Sequence, residues 1–90
     1  MARLLGVDLG TTSISALLYD DAGRDVLAYA GRPHEGYVSG LPPGHREQDP
    51  ARYRRALAAV LADVAAACGE TVVCADAVSV TGQMHGCILL

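Results

Sequence analysis

A short apolar run, Leu4-Leu5-Gly6-Val7, ends in Asp8 and predicts a buried strand over residues 3–8. Ile14, Ala16 and Leu18 then alternate with Ser15, Leu17 and Tyr19. That period of two predicts a second strand over 14–20, and Leu17 on the opposite face suits a central strand covered on both sides. Asp20-Asp21-Ala22-Gly23-Arg24 has the chemistry of a tight turn, and residues 26–29 continue as a third strand. Strands joined by short turns make an antiparallel meander. Periodicity then disappears: Gly31, Pro33, Gly36, Gly40, Pro42, Pro43 and Gly44 punctuate residues 31–48, predicting a loop of about 18 residues, a length usually kept for function or mobility.

Beyond it the period becomes helical. Tyr53, Leu57, Val60, Leu61, Val64 and Cys68 fall on one stripe, in an alanine-rich stretch of high helix propensity. Asp49 suits the N-cap, Pro50 the first helical position and Gly69 the stop. Residues 77–81 read as one more strand. The order strand-strand-strand-helix-strand, a meander followed by a helical crossover, predicts an α/β fold with a mixed sheet.

Composition narrows the classes. Ninety residues, 51% of them hydrophobic and 19% charged, make one small globular unit with a modest core. The net charge is −3 and the chain has no lysine, so the basic stripe of a nucleic-acid binder is absent. Arg52, Arg54 and Arg55 read as the solvated face of the helix. Cys68, Cys74 and Cys87 are odd in number and lack CxxC spacing, which argues against a disulfide framework or zinc site and for reduced thiols in the cytoplasm. Asp8 interrupts the first apolar run too early for a signal-peptide core, and no run approaches a membrane span. His34 and His45 in the long loop read as bystanders. Cys87-Ile88-Leu89-Leu90 reads as a strand just begun, so the chain is expected to be the N-terminal piece of something longer.

Two segments carry candidate chemistry. In Asp8-Leu9-Gly10-Thr11-Thr12-Ser13 an acid stands at a strand exit, a glycine follows two positions later, and three hydroxyls come next. Gly10 permits close approach of the backbone to an anion and a positive φ. The N–H groups of such a turn form an anion-binding concavity, and the Thr11, Thr12 and Ser13 hydroxyls add donors. Asp8 repels phosphate but suits a hydrated Mg²⁺ that bridges to it. The alternative is an ordinary hairpin turn with a capping aspartate. A Walker A loop is excluded by the missing lysine, and a dinucleotide fingerprint by the glycine spacing.

The second segment, Thr81-Gly82-Gln83-Met84-His85-Gly86, follows the last strand. Gln83 donates and accepts hydrogen bonds, His85 does either according to tautomer, and Met84 offers an apolar wall. The set suits a polyhydroxylated ligand with one apolar edge. A plain strand-to-loop turn with a satisfied histidine is the alternative.

Taken together, Gly6 through Ser13, Arg46-Glu47-Gln48-Asp49-Pro50 and Thr81 through Gly86, in this order and spacing, make the chain resemble the N-terminal part of the FGGY carbohydrate kinases. The first motif is shared with the wider actin-like ATPases. The last is similar to the xylulokinase and sedoheptulokinase branches; the glycerol kinase branch has Arg-Glu where Met84 and His85 stand.

The resemblance implies a ribonuclease H-like (actin-like ATPase) fold, with residues 1–90 an incomplete N-terminal portion of the first kinase domain. It implies ATP-dependent phosphorylation of a ketose, with ATP, Mg²⁺ and the sugar as partners and a homodimer among the assemblies open to it. Asp8 would help position Mg²⁺–ATP, through water; Gly10, Thr11, Thr12 and Ser13 would line the phosphate pocket; Gln83, Met84 and His85 would meet the sugar. Glu47, Gln48 and Asp49 look structural, with Glu47 left open.

There are departures. Ser15 stands where many relatives carry lysine, and His45-Arg46 precede Glu47 where xylulokinases often have an aromatic residue and a serine, a lean toward sedoheptulokinases. The family's catalytic aspartate and adenosine pocket fall outside the chain, so the 90 residues alone are expected to be inactive. The rival readings are an actin-like ATPase without a sugar substrate and a non-catalytic sugar-binding regulator.

Overall fold

The computed structural model describes residues 2–34 and 37–82. Five elements follow the expected order: β1 (Arg3–Leu9), β2 (Ser13–Asp20), β3 (Asp25–Pro33), α1 (Pro50–Ala67) and β4 (Ala77–Gly82). They build one four-stranded sheet in the order β3-β2-β1-β4. β1 pairs antiparallel with β2, and β2 with β3. β4 returns through α1 to lie parallel to β1, so the sheet is mixed, as the meander and crossover predict.

Alternation decides which face is buried. Leu5 and Val7 of β1, Ile14, Ala16 and Leu18 of β2, and Ala28 of β3 share a core with Val60 and Val64 of α1. Ile14, Val60 and Val64 are fully buried and Leu18 is 1% exposed. The helix lies across β2 and β3. It does not cover β4, whose six residues are all exposed. β2 is one of the two interior strands, and Leu17 on its second face is half-buried.

The helix ends are set locally. The Asp49 side chain accepts a hydrogen bond from the Ala51 N–H at 2.9 Å, and Pro50 opens the first turn. At the other end Gly69 has φ +72°. There Glu70 N–H donates to Ala65 O at 2.8 Å and Gly69 N–H to Ala66 O at 3.0 Å, which is a Schellman closure.

The β2–β3 connection is also as expected. Asp20 Oδ1 accepts from Ala22 N–H at 3.0 Å, and Arg24 takes the left-handed conformation, φ 51°. One expectation is corrected: β3 runs on through Gly31, Arg32 and Pro33, so the irregular segment starts later than residue 31. Ser13 to Ser15 supply cross-strand partners there, and backbone pairing outweighs the glycine and proline signals on an edge strand.

Two ion pairs tie elements together. Arg3 meets Glu70 at 2.7 Å, joining the start of β1 to the helix exit. Arg32 grips Asp63 with two bonds, Nε to Oδ2 at 2.7 Å and NH2 to Oδ1 at 2.9 Å, joining β3 to α1. That hydrogen bonding, opposed by desolvation and helped in smaller part by the guanidinium charge, holds the Asp63 carboxyl below its ordinary 3.8. A depressed pKa stabilises the fold above the unfolded value and loses that contribution as pH falls through the folded one. Asp63→Asn is therefore expected to lower the melting temperature near neutrality by a small, salt-sensitive amount. The gap to the wild type should close on acidification below the ordinary aspartate range. A gap independent of pH between neutrality and strong acid would show that the ion pair contributes nothing.

Candidate functional site

Asp8 stands near the end of β1, followed by Leu9 and then the hairpin tip formed by Gly10, Thr11 and Thr12, with Ser13 beginning β2. The tip is closed by Gly10 N–H donating to Ser13 O at 2.9 Å. A Cβ on Gly10 would lie 2.8 Å from that same oxygen, so the position is restricted by proximity. The expected positive φ is not found: among the described residues only Gly40, Gly44, Gly69 and Arg24 have one. Close approach, not handedness, is what demands glycine here.

Asp8 is exposed. In register it opposes Ser15 on β2 and Thr81 on β4. With Gly6, Leu17, Tyr29 and Ser79 these residues line a shallow depression on the sheet face away from α1. Among the described residues no group of three His, Cys, Asp or Glu side chains could cage a metal ion. An exposed carboxylate beside hydroxyls does suit Mg²⁺ that keeps most of its waters and arrives with phosphates, since that ion is usually held by one or two carboxylates and its substrate.

β4 carries the second motif. Thr81 lies opposite Asp8 and Gly82 opposite Leu9, so β4 ends beside the hairpin tip. Gln83, Met84 and His85 lie outside the described residues. In open α/β sheets, ligands gather beyond the carboxyl ends of parallel strands. β1 and β4 are the parallel pair here, and both candidate motifs issue from their carboxyl ends. Asp76 sets this register at the other end: its carboxylate accepts from Arg3 N–H at 2.7 Å, and its own N–H donates to Arg3 O at 2.8 Å.

His34, set aside in the sequence, and Gln48, read there as structural, prove to brace the tip. His34, read as a bystander, is half-buried. Its Nε2 lies 3.0 Å from Gly10 O, and its backbone N–H donates to Thr12 O at 2.9 Å. Gln48 Nε2 donates to Thr11 O at 2.7 Å, while Gln48 Oε1 accepts from the Tyr53 hydroxyl at 2.7 Å. Tyr53 also packs against the His34 ring, with centroids 4.4 Å apart. The available signal was position: His34 directly follows β3, and Gln48 directly precedes the Asp49 cap. Both places are fixed by their elements and not free to wander with a loop. Between them Val38 N–H donates to Glu47 O at 2.7 Å and Tyr37 bridges to Gln48, so the described part of this segment is tied back on itself.

His45 and Glu47 are exposed. Cys68 and Cys74 are free thiols, and no helix among the described residues is long and apolar enough to cross a membrane.

Comparison with known proteins agrees with this architecture. The sequence profile described as "FGGY family of carbohydrate kinases, N-terminal domain" matches residues 3–90. Xylulose kinase from Streptomyces coelicolor is 40% identical over 87 residues, 97% of this chain and 16% of that protein. Its counterpart from Streptomyces rubiginosus is 39% identical over the same shares. The crystal structure of xylulose kinase from Rhodospirillum rubrum superimposes with a TM-score of 0.75 at 36% identity, over 91% of this chain and 16% of that one. The chain thus spans about one sixth of the length of the relatives it matches. The actin-like ATPase fold of the xylulose kinases accounts for the mixed sheet and its single described helix. With the sequence profile matching almost end to end and the sheet built to the same plan, this chain belongs to the FGGY family of carbohydrate kinases.

Proposed function

We propose that the full-length protein carrying this chain transfers the γ-phosphoryl group of ATP to a hydroxyl of a ketose, xylulose being the foremost candidate. Residues 1–90 form the N-terminal portion of its first domain. The observation that carries the reading is the parallel pairing of β1 with β4, which sets Asp8 opposite Thr81 and starts both motifs at one end of the sheet. A phosphate donor and a polyhydroxylated acceptor must meet in line, and such a transfer depends almost wholly on positioning and charge neutralisation.

In this reading the turn from Gly10 to Ser13 receives the phosphates, and Gln83, Met84 and His85 contact the sugar. Asp8 holds hydrated Mg²⁺, which neutralises phosphate charge when bound. The sugar oxygen forms the new bond to phosphorus as the bond to the ADP oxygen breaks. The hydroxyl proton passes to an aspartate which the family resemblance puts further along the protein. The enzyme works in the cytoplasm.

A coupled ADP-release assay tests this on the full-length protein, with xylulose and sedoheptulose offered separately. Xylulose-dependent release is expected, with none from residues 1–90 alone. Release that needs no sugar would favour the plain ATPase, and sugar binding without release the regulator. His85→Ala is expected to weaken ketose binding by about 1–3 kcal/mol through an unpaired hydroxyl, with ATP affinity unchanged in calorimetry and partial recovery in His85→Gln. Unchanged affinity for every ketose would remove His85 from the sugar site.

A further inference from the structure

Three consecutive carbonyl groups at the hairpin tip are held from one side. Gly10 O lies 3.0 Å from His34 Nε2, Thr11 O accepts from Gln48 Nε2 at 2.7 Å, and Thr12 O accepts from the His34 backbone N–H at 2.9 Å. The donors belong to one connected group, because Tyr53 packs on the His34 ring and donates its hydroxyl proton to Gln48. Tyr53 is planted on α1, within the first turn after the Asp49 cap, so the group is anchored to the core and not to a free loop.

Peptide geometry turns this into a statement about the opposite side of the tip. In a trans peptide the C=O of one residue and the N–H of the next point in opposite directions, and the chain has no cis bonds among the described residues. Fixing the carbonyls of Gly10, Thr11 and Thr12 therefore aims the N–H groups of Thr11, Thr12 and Ser13 away from His34 and Gln48. It also keeps three partially negative oxygens turned from the place where an anion would sit. Successive N–H groups presented together are what a phosphate needs.

We propose that His34 and Gln48 are positioning residues for the nucleotide: by holding the Gly10, Thr11 and Thr12 carbonyls, they set the orientation of the phosphate-binding amides. The proposal rests on the reading of residues 8–13 as a phosphate turn. His34 must carry its proton on Nε2 to donate to Gly10 O. Neither side chain touches phosphate or sugar. Their effect is on the pre-organisation of the turn, so it appears in nucleotide affinity and not in ketose affinity.

The test uses the full-length protein, with calorimetric titration of Mg²⁺–ATP, titration of xylulose, and melting curves. His34→Ala and Gln48→Leu are each expected to weaken ATP binding about tenfold, the scale of one lost orienting hydrogen bond, with xylulose affinity unchanged. Two conservative variants separate positioning from mere stability. His34→Gln restores a donor near Nε2 and should recover most of the affinity. Gln48→Glu removes the donor at neutral pH but regains one when protonated. A carbonyl facing it favours the neutral acid, so its deficit relative to wild type should shrink as pH falls from about 8 to about 5.

Wild-type ATP affinity in His34→Ala and Gln48→Leu, with Asp8→Asn still crippling turnover, would overturn the proposal and leave the phosphate-turn reading intact. An equal loss of ATP and xylulose affinity, with no rescue by His34→Gln or by acid in Gln48→Glu, would show ordinary structural damage and also overturn it. Normal nucleotide use in Asp8→Asn and Gly10→Ala would sink the phosphate-turn reading itself, and this proposal with it.

Discussion

Asp8→Asn in the full-length protein is expected to lower turnover by about two to four orders of magnitude while sugar affinity stays near wild type. The substitution keeps the side chain's shape and removes its charge. Asp8 is exposed, near the carboxyl end of β1 and beside Ser15 and Thr81, so the fold loses no buried contact. What is lost is the one carboxylate that the described residues give to the depression, whose other described lining is hydroxyl, apolar and glycine residues. An amide oxygen binds a hard divalent cation far more weakly than a carboxylate does. Steady-state kinetics at saturating Mg²⁺–ATP decide the matter, with melting curves to confirm the fold. Turnover close to normal would reduce Asp8 to a turn residue, and a parallel fall in xylulose affinity would put it on the sugar side.

Gly10→Ala is expected to weaken Mg²⁺–ATP binding by roughly ten- to a hundredfold and to lower the melting temperature, the overpacking costing about 1–3 kcal/mol. The added methyl would stand 2.8 Å from Ser13 O, a backbone atom that cannot swing aside. That oxygen already accepts the Gly10 N–H, so relief of the clash must stretch the bond that closes the tip. Any such shift also disturbs the Gly10 carbonyl beside His34. Because φ at this position is not in the left-handed region, a D-alanine-like remedy has no place, and only smaller volume restores the wild type. Calorimetry with Mg²⁺–ATP and a thermal melt check both halves. Unchanged nucleotide affinity in a destabilised protein would mean that the tip closes the hairpin without serving the ligand.

The elements were legible because each had its own period. Ile14, Ala16 and Leu18 alternate cleanly, and Val60 and Val64 fall on the buried stripe of an alanine-rich helix. Asp49 and Gly69 mark its ends, and these signals depend on near neighbours only. The Asp8-to-Ser13 turn and the Thr81-to-Gly86 segment stood out as candidate chemistry because their residue types are concentrated in short stretches. The brace was not legible. His34 and Gln48 meet the tip across sequence separations of 24 and 37 residues. Their places beside β3 and the Asp49 cap mark them as fixed but do not say which distant carbonyl each one reaches. Asp76, which fixes the register of β4 against β1, was missed for the same reason. The extent of β3 was misjudged because Gly31 and Pro33 punctuate a loop and an edge strand equally well. The positive φ expected at Gly10 failed because glycine answers two needs, handedness and proximity, and sequence cannot separate them.

The parallel pairing of β4 with β1 also bears on how the chain acquires its shape. β1, β2 and β3 can pair through short turns as soon as each emerges, and α1 forms from contacts a few residues apart. β4 must instead find β1 across the whole chain: Arg3 and Asp76 are 73 residues apart. Closing so long a span costs entropy before any contact rewards it, so β4 is expected to dock last, onto a meander and helix already formed. The segment proposed to meet the sugar follows β4 in the sequence. The folding order therefore completes the side proposed for the nucleotide before the side proposed for the acceptor is brought to it, and lesions confined to β4 should speed unfolding more than they slow folding.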